Sequence, residues 1–177
     1  MKKLLTTISL ALTLCLSLTT VFAAPSINKN GAVKKDSILI NGEKVDANTT
    51  AAFDSKKETY SAAGVSDETI DVIEKVNANP SQLASLIKGV DLSGYSLLTE
   101  FQDLSVYVNG ELKQKVKNVT LTWEVPNLVK TAKNVKVLHY STERNTWEIL
   151  TPKSVDFDNK TITQEFKDLS PVAVIYQ

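Results

Sequence analysis

The sequence has almost none of the residues that form covalent crosslinks or metal centres. It contains one cysteine, Cys15, and one histidine, His139, in 177 residues. A single cysteine cannot form an intramolecular disulfide, so the fold must be held together by packing alone. A zinc site would have to consist mostly of carboxylates, which is unusual. We therefore expect no metal, and no sequence motif indicates another cofactor.

An excess of charge of either sign is also missing. The chain has 20 basic and 20 acidic residues, and its formal net charge is zero. Proteins that bind nucleic acids or anionic lipids usually carry a basic patch that raises the charge of the domain. The balanced composition therefore argues against a nucleic-acid partner.

The first 23 residues have the pattern of a secretory signal peptide. Two lysines open the chain, an apolar stretch runs from Leu4 to about Val21, and a small residue, Ala23, precedes the expected cleavage point. Cleavage after Ala23 removes Cys15 and leaves 18 basic against 20 acidic residues. We expect a secreted, extracellular protein, and the lack of cysteine fits a Gram-positive bacterium.

Two alternatives to cleavage are less favoured. An uncleaved anchor would need ~20 predominantly apolar residues, and here serine and threonine interrupt a shorter run. A lipoprotein would carry its lipid on Cys15, but the residue before it is the large Leu14, where a small residue is normally required. Since no second long apolar run follows, we expect no stable membrane insertion after cleavage.

Composition divides the rest of the chain into three parts. Residues 24–64 contain few large apolar side chains and are interpreted as a linker, with a possible short hairpin at 37–45 around Asn41-Gly42. Residues 65–90 predict two short helices. Ser66 is the expected N-cap of the first helix, and Asn79 with Pro80 is the expected start of the second. Residues 65–177 should fold as one unit.

Residues 95–177 predict an antiparallel β-sandwich of about seven strands, so the fold class is mainly β with a small helical segment (α+β). Apolar residues alternate with polar ones from Val119 to Val125, which is typical of a half-buried strand. Two hairpins are expected, one turning at Asn109-Gly110 and one at 143–145. The segment 172–176 is apolar on both faces and should lie centrally.

Few residues are candidates for chemistry. His139 is expected to be a partly buried or rim histidine with a satisfied ring. Asp156 to Asn159 could begin a calcium loop, but Lys160 and Thr161 stand where such a loop needs a ligand and a glycine, so a turn is favoured. A carboxylate pair for glycoside hydrolysis is defined in space, and nothing in the sequence nominates two of the 20 acids.

Two possible binding surfaces remain. Five aromatic residues could form a glycan-stacking platform, although core packing is favoured, above all for Trp123. They are Trp123, Trp147, Tyr140, Tyr107 and Tyr95. The other surface comprises Lys113, Lys115 and Lys117 with the turns at Asn109-Gly110 and Arg144, but charges on an edge strand also serve to prevent aggregation.

The last 55 or so residues resemble a C-terminal β-module found in many secreted and surface proteins of Firmicutes, especially clostridial ones. The similarity lies in the segments 123–126, 135–140, 146–148 and 166–174, the last of which reads Phe166-Lys167-Asp168-Leu169-Ser170-Pro171 at its start. The resemblance implies a β-sandwich at the cell surface. It implies no activity and no site residues.

These observations favour a secreted, non-enzymatic protein that binds a partner at the cell envelope. The partner would be a cell-wall or host glycan or an envelope protein. A small extracellular hydrolase acting on glycan is an alternative, and it requires a cleft with a carboxylate or serine of perturbed pKa. A structural module that pairs through an exposed sheet edge is another.

Overall fold

A computed structural model describes residues 27–113 and 115–177. The expected signal peptide, residues 1–23, lies outside the described residues. Three α-helices are present in the described part, α1 (Lys57–Ala62), α2 (Asp67–Ala78) and α3 (Leu83–Leu86). None of the helices in this part is both long enough and apolar enough to span a bilayer.

Twelve strands follow the order of the chain. They are β1 (Leu39–Ile40), β2 (Glu43–Lys44), β3 (Thr49–Asp54), β4 (Ser96–Leu97), β5 (Gln102–Val108), β6 (Glu111–Lys113), β7 (Lys117–Glu124), β8 (Lys136–Ser141), β9 (Thr146–Leu150), β10 (Ser154–Asp156), β11 (Thr161–Asp168) and β12 (Pro171–Tyr176).

The strands form two antiparallel sheets. The first has the order β10-β11-β7-β1-β2, and the second has the order β3-β5-β12-β8-β9, with β4 beside β12 and β6 beside β5. The fold is therefore mainly β, as predicted. The apolar segment 172–176 forms the central strand of the second sheet, and both expected hairpins are present, as β5–β6 and β8–β9.

Two apolar cores hold three layers together. The core between the sheets contains the alternating side chains of β7, among them Val119, Leu121 and Trp123, which pack with Phe166 of β11. The other core lies between the outer face of the second sheet and the helices. Successive residues of a strand point to opposite faces, so β8 and β12 contribute to both cores.

The prediction of a linker over residues 24–64 is wrong for its described part. β3 pairs along its full length, from Thr49 to Asp54, with Asp103 to Val108 of β5, and β1 pairs with β7. Ile38 and Tyr60 are buried, one in each core. The expected hairpin at 37–45 is present as β1 and β2. Strand pairing uses backbone groups and needs few apolar side chains, so composition alone did not reveal this segment.

Of the two predicted helices, only the first forms a regular α-helix of several turns. The first is α2, and the Ser66 hydroxyl accepts the predicted capping bond from the Thr69 amide at 3.3 Å. The second is only a 3-10 turn at Pro80–Gln82 followed by the single turn of α3, and the Asn79 side chain makes no capping bond. A third short helix, α1, was not predicted.

Candidate functional site

The second sheet has a break along one edge of β5. One edge of this strand pairs with β3 from Asp103 to Val108. On the opposite edge, β12 pairs with Gln102 and Asp103, and β6 pairs only from Val106 onward. Leu104 and Ser105 lie between these two ladders. A single long bond, from the Leu104 amide to the Ser170 carbonyl at 3.4 Å, crosses the break.

A pocket of about 140 Å³ opens at this break, and we call it the β5 pocket. The end of α1, the β6 hairpin and the connection between β11 and β12 form its walls. Most of the wall is apolar. The apolar lining residues are Ala62, Ala63, Leu104, Leu112, Val116 and Leu169.

Asp103 is the polar side chain that distinguishes this pocket. It lies on the same face of β5 as Ser105 and is only 1% exposed. Its Oδ2 accepts a hydrogen bond from the Ser105 hydroxyl at 2.8 Å. Its Oδ1 is buried and has no hydrogen-bond partner among the described residues. Buried polar atoms are nearly always hydrogen-bonded, so an unpaired one on a residue that lines a cavity marks a binding-site candidate.

The environment of Asp103 favours its protonated form. Burial raises the pKa of this carboxyl to about 6, against the opposing effect of the Ser105 hydroxyl, and the charge of Asp54 adds to the increase. Burial, followed by the charge of Asp103, also raises the pKa of the Tyr60 hydroxyl. A carboxyl whose pKa is raised by desolvation beside a cavity is characteristic of functional sites, although not exclusive to them.

Asp168 is a second buried carboxylate in the pocket wall, and it is fully engaged. The Ser141 hydroxyl lies 3.1 and 3.0 Å from its two oxygens, and the Arg144 guanidinium lies 3.3 Å from Oδ1. These contacts join β11 to the turn between β8 and β9 across the two sheets. Asp168 therefore has a counter-charge, which Asp103 lacks.

Two of the remaining charges of the pocket, Glu143 and Lys113, also have partners nearby. Glu143 pairs with Lys117 at 2.5 Å, and Lys113 pairs with Glu111 at 3.4 Å. Among the described residues the lining carries three acidic and two basic side chains. They are Asp103, Glu143, Asp168, Lys113 and Lys115. The lining is therefore negative by one charge when all five are ionised.

His139 departs from the sequence-based expectation. It is 1% exposed, so it is neither partly exposed nor at a rim. Its Nε2 lies 2.8 Å from the Ser170 hydroxyl, but its Nδ1 has no hydrogen bond within the described part of the chain. The Glu148 carboxylate lies 3.6 Å from Nδ1. Burial lowers the pKa of His139, although the charges of Asp168 and Glu148 act in the opposite direction.

The order Ser170, His139, Glu148 resembles a nucleophile with its base and orienting acid. The orientation of the serine does not support this role. Ser170 has no exposed surface, and its hydroxyl donates to the Tyr140 carbonyl, so its proton is directed away from His139. The arrangement is better explained as a buried contact between Ser170 and His139, beside the partly exposed Glu148.

The aromatic platform is not assembled. Trp123 lies in the core between the sheets, whereas Trp147 and Tyr140 lie in the core beneath the helices. The last two form an edge-to-face pair with ring centres 5.1 Å apart. Core packing, as predicted for Trp123, explains all three rings.

The acidic turn at residues 156–159 is a turn, as predicted. Asp156 Oδ1 accepts hydrogen bonds from the amides of Asp158 and Asn159 at 3.0 and 2.9 Å. Within residues 27–113 and 115–177, no group of three or more histidine, cysteine or acidic side chains could hold a metal ion.

The predicted basic rim is divided between two strands. Lys113 lies in β6 of the second sheet, whereas Lys117 begins β7 of the first sheet. The chain crosses between the sheets after β6, and the hairpin predicted at Asn109-Gly110 ends at Lys113. The lysines therefore do not form one continuous strand face.

Sequence reasoning did not find Asp103. The available signal was its place in the run Asp103-Leu104-Ser105-Val106, where two polar residues alternate with two apolar ones. That pattern predicts a strand with a wet face, but the helices cover this face of β5. An acid on such a covered face is unusual.

No family model matches the chain, and neither a curated protein nor a solved structure is significantly similar to it. The chemistry of the β5 pocket is therefore the basis for a functional proposal.

Proposed function

We propose that this protein is an exported, non-enzymatic binding module that holds a small ligand, or the end group of a larger one, in the β5 pocket. The observation that carries the proposal is the buried Asp103 carboxyl, which lines the cavity and whose Oδ1 has no partner among the described residues. A hydrogen-bond donor on a ligand would satisfy this atom.

The pocket is built to persist without a ligand. Its walls come from β5, β6 and α1, and β5 is held between β3 on one edge and β12 on the other. Ligand sites in proteins are usually concave, largely apolar and preformed, with a few polar groups that fix orientation. The β5 pocket has these properties, with Asp103 as the orienting group.

The place of action is proposed from the sequence. The charged start, apolar stretch and small residue at Ala23 support export. The resemblance of the last 55 or so residues to surface modules of Firmicutes supports a role at the cell envelope. We therefore propose that the ligand belongs to a cell-wall or host glycan or to an envelope protein.

A fragment screen by two-dimensional NMR on the exported protein tests the binding role. Bound fragments should shift the amide signals of Asp103, Ser105 and Leu112, which line the pocket. Ala63→Leu should fill the cavity and remove these shifts. Ala78→Leu, at the exposed end of α2, is the matched control and should leave them unchanged. A screen in which no fragment shifts these signals would refute the proposal.

A glycan hydrolase is a second candidate, because two buried carboxyls, Asp103 and Asp168, line the same pocket. Glycosidases use a pair of acids, of which the one with a raised pKa donates the proton. Asp103 would be that acid, and Asp168 the carboxylate. Hydrolysis of chromogenic glycosides should then occur and should be lost in both Asp103→Asn and Asp168→Asn. Absence of turnover by the unmodified protein would eliminate this candidate.

A further inference from the structure

We propose that the ligand of the β5 pocket is an organic ammonium ion, a protonated primary amine on a short alkyl chain, and that Asp103 is its counter-ion. This inference deepens the proposed function and rests on it. It predicts which chemical group the pocket selects, whereas the proposed function predicts only that the pocket is occupied.

The unpaired charge on Asp103 is the reason to expect a cation. When ionised, this carboxylate is buried and has no counter-charge among the described residues. The groups that face Asp103 do little to neutralise its charge. Ser105 is neutral, and Asp54, opposite Asp103 on β3, is another acid. Glu143 and Asp168 in the lining are acids as well. Lys113 is paired with Glu111, and Lys115 is exposed to water, which screens its charge. A buried charge without a partner is unfavourable, and a cation that supplies the partner gains the corresponding free energy.

The residues around Asp103 determine which kind of cation can bind. A metal ion needs several ligands, and no group of three suitable side chains exists in the part of the chain described. The walls contain several aliphatic side chains, including Leu112, Val116 and Leu169. Aliphatic walls bind the stem of an alkylamine, while the ammonium donates to Oδ1 of Asp103. The chemistry of the lining thus favours an organic cation over a bare metal ion.

Size and rim charge set the limits of the ligand. A cavity of roughly 150 Å³ holds a molecule the size of benzene, so about 140 Å³ accommodates an amine with a stem of about five carbons. Lys113 and Lys115 are exposed at the pocket, where water screens their charge. The buried Asp103 therefore has the larger effect on a cation that enters.

Three probes of similar shape test the inference by titration calorimetry on the exported protein at pH 8. They are pentylammonium, 1-pentanol and pentanoate. An alkylamine remains protonated at this pH, as a lysine side chain does. Pentylammonium should bind at least tenfold more tightly than 1-pentanol, and pentanoate should bind most weakly.

Variants and pH provide two further readouts. Asp103→Asn should weaken pentylammonium at least tenfold and bring it close to 1-pentanol, whereas Asp71→Asn, on the exposed face of α2, should change nothing. In the unmodified protein, affinity for pentylammonium should fall at least fivefold between pH 8 and pH 5, because Asp103 becomes protonated. The pH dependence is measured on the unmodified protein, so it does not depend on whether a variant folds.

The outcomes separate the two proposals. If 1-pentanol or pentanoate binds as tightly as pentylammonium, or if Asp103→Asn binds the amine unchanged, the ammonium inference is overturned while the pocket remains a binding site. If no probe and no screened fragment shifts the pocket signals, both proposals fail. Selective binding of pentylammonium that depends on Asp103 supports both.

Discussion

Asp54 and Asp103 lie directly opposite each other in the ladder between β3 and β5. Like charges in this position destabilise a sheet. The two carboxyls differ in their surroundings. Although burial acts to raise the pKa of Asp54, the amide and ammonium of Lys56 lower it. Asp103 is buried and has no cation beside it, so its pKa is raised. The negative charge of the pair is therefore placed on Asp54.

Asp54→Asn should lower the pKa of Asp103. The negative charge of Asp54 is one of the two causes that raise the pKa of Asp103, and the substitution removes it. Burial remains, so the pKa should fall below about 6 but stay above the ordinary 3.8. Titration of the carboxyl carbon of Asp103 by NMR measures the change. Asp71→Asn is the control and should leave the titration unaltered. An unchanged midpoint in Asp54→Asn would show that the two charges do not interact.

Asp103→Asn should stabilise the protein at pH 8 by up to about 3 kcal/mol, since each pKa unit corresponds to roughly 1.4 kcal/mol. The folded pKa, about 6, is higher than the ordinary 3.8. The favourable contribution of Asp103 is therefore complete below pH 3.8 and is lost as the pH rises through 6. The asparagine oxygen can still accept from Ser105.

Urea denaturation at pH 8 and pH 4 measures this difference. The stabilisation in the variant should be clear at the higher pH and should vanish at the lower one. A variant that is less stable than the unmodified protein at pH 8 would mean that the charge of Asp103 has a partner in the folded protein.

The layered β-fold could be predicted because its strands carry their own pattern. The alternation from Val119 to Val125 and the turn at Asn109-Gly110 report local geometry. β3 carries no such pattern, because Thr49–Asp54 is mostly small and polar and is fixed by pairing with β5. Its place depends on a partner that is distant in sequence, and periodicity does not encode that partner.

The candidate site could not be predicted for a similar reason. Asp103 is one of 20 acidic residues, and its raised pKa results from burial beneath α1 and from Asp54 on another strand. His139 was expected to be only partly buried or at a rim. Its full burial was not predicted, because Phe166 of the other sheet covers it, with ring centres 5.5 Å apart. Both properties arise from tertiary contacts.

His139 should remain neutral to a lower pH than an ordinary histidine. Burial lowers its pKa below 6.5. The stability that it contributes is therefore present above pH 6.5 and is lost as the pH falls through the folded pKa. Because the sequence contains one histidine, its ring signals in NMR can be assigned without ambiguity. A midpoint at or above 6.5 would show that Glu148 and Asp168 outweigh burial.

Asn30→Ala should destabilise the protein by about 1–3 kcal/mol, the usual cost of leaving a buried donor unpaired. The Trp123 indole N–H donates to the Asn30 side chain at 3.0 Å, in the core between the sheets. The Asn30 amide donates to Gln102 at 2.7 Å, and this bond survives the substitution. The substitution removes the Trp123 contact together with two longer bonds from the Asn30 side-chain amide, to Gln102 at 3.3 Å and to the Glu100 carbonyl at 3.5 Å. Urea denaturation measures the loss, with the exposed Lys29→Ala as the control.

The same substitution in a Trp123→Phe background separates this contact from a general disturbance of the strand-like segment around Asn30. Phenylalanine has no indole N–H, so Asn30→Ala should then cost clearly less than it does beside tryptophan. A double-mutant cycle isolates the pairwise energy in this way. If Asn30→Ala leaves the denaturation midpoint where Lys29→Ala leaves it, residues near Asn30 behave as the linker that composition predicted. A midpoint lowered only in the presence of Trp123 would instead establish that this segment closes the core.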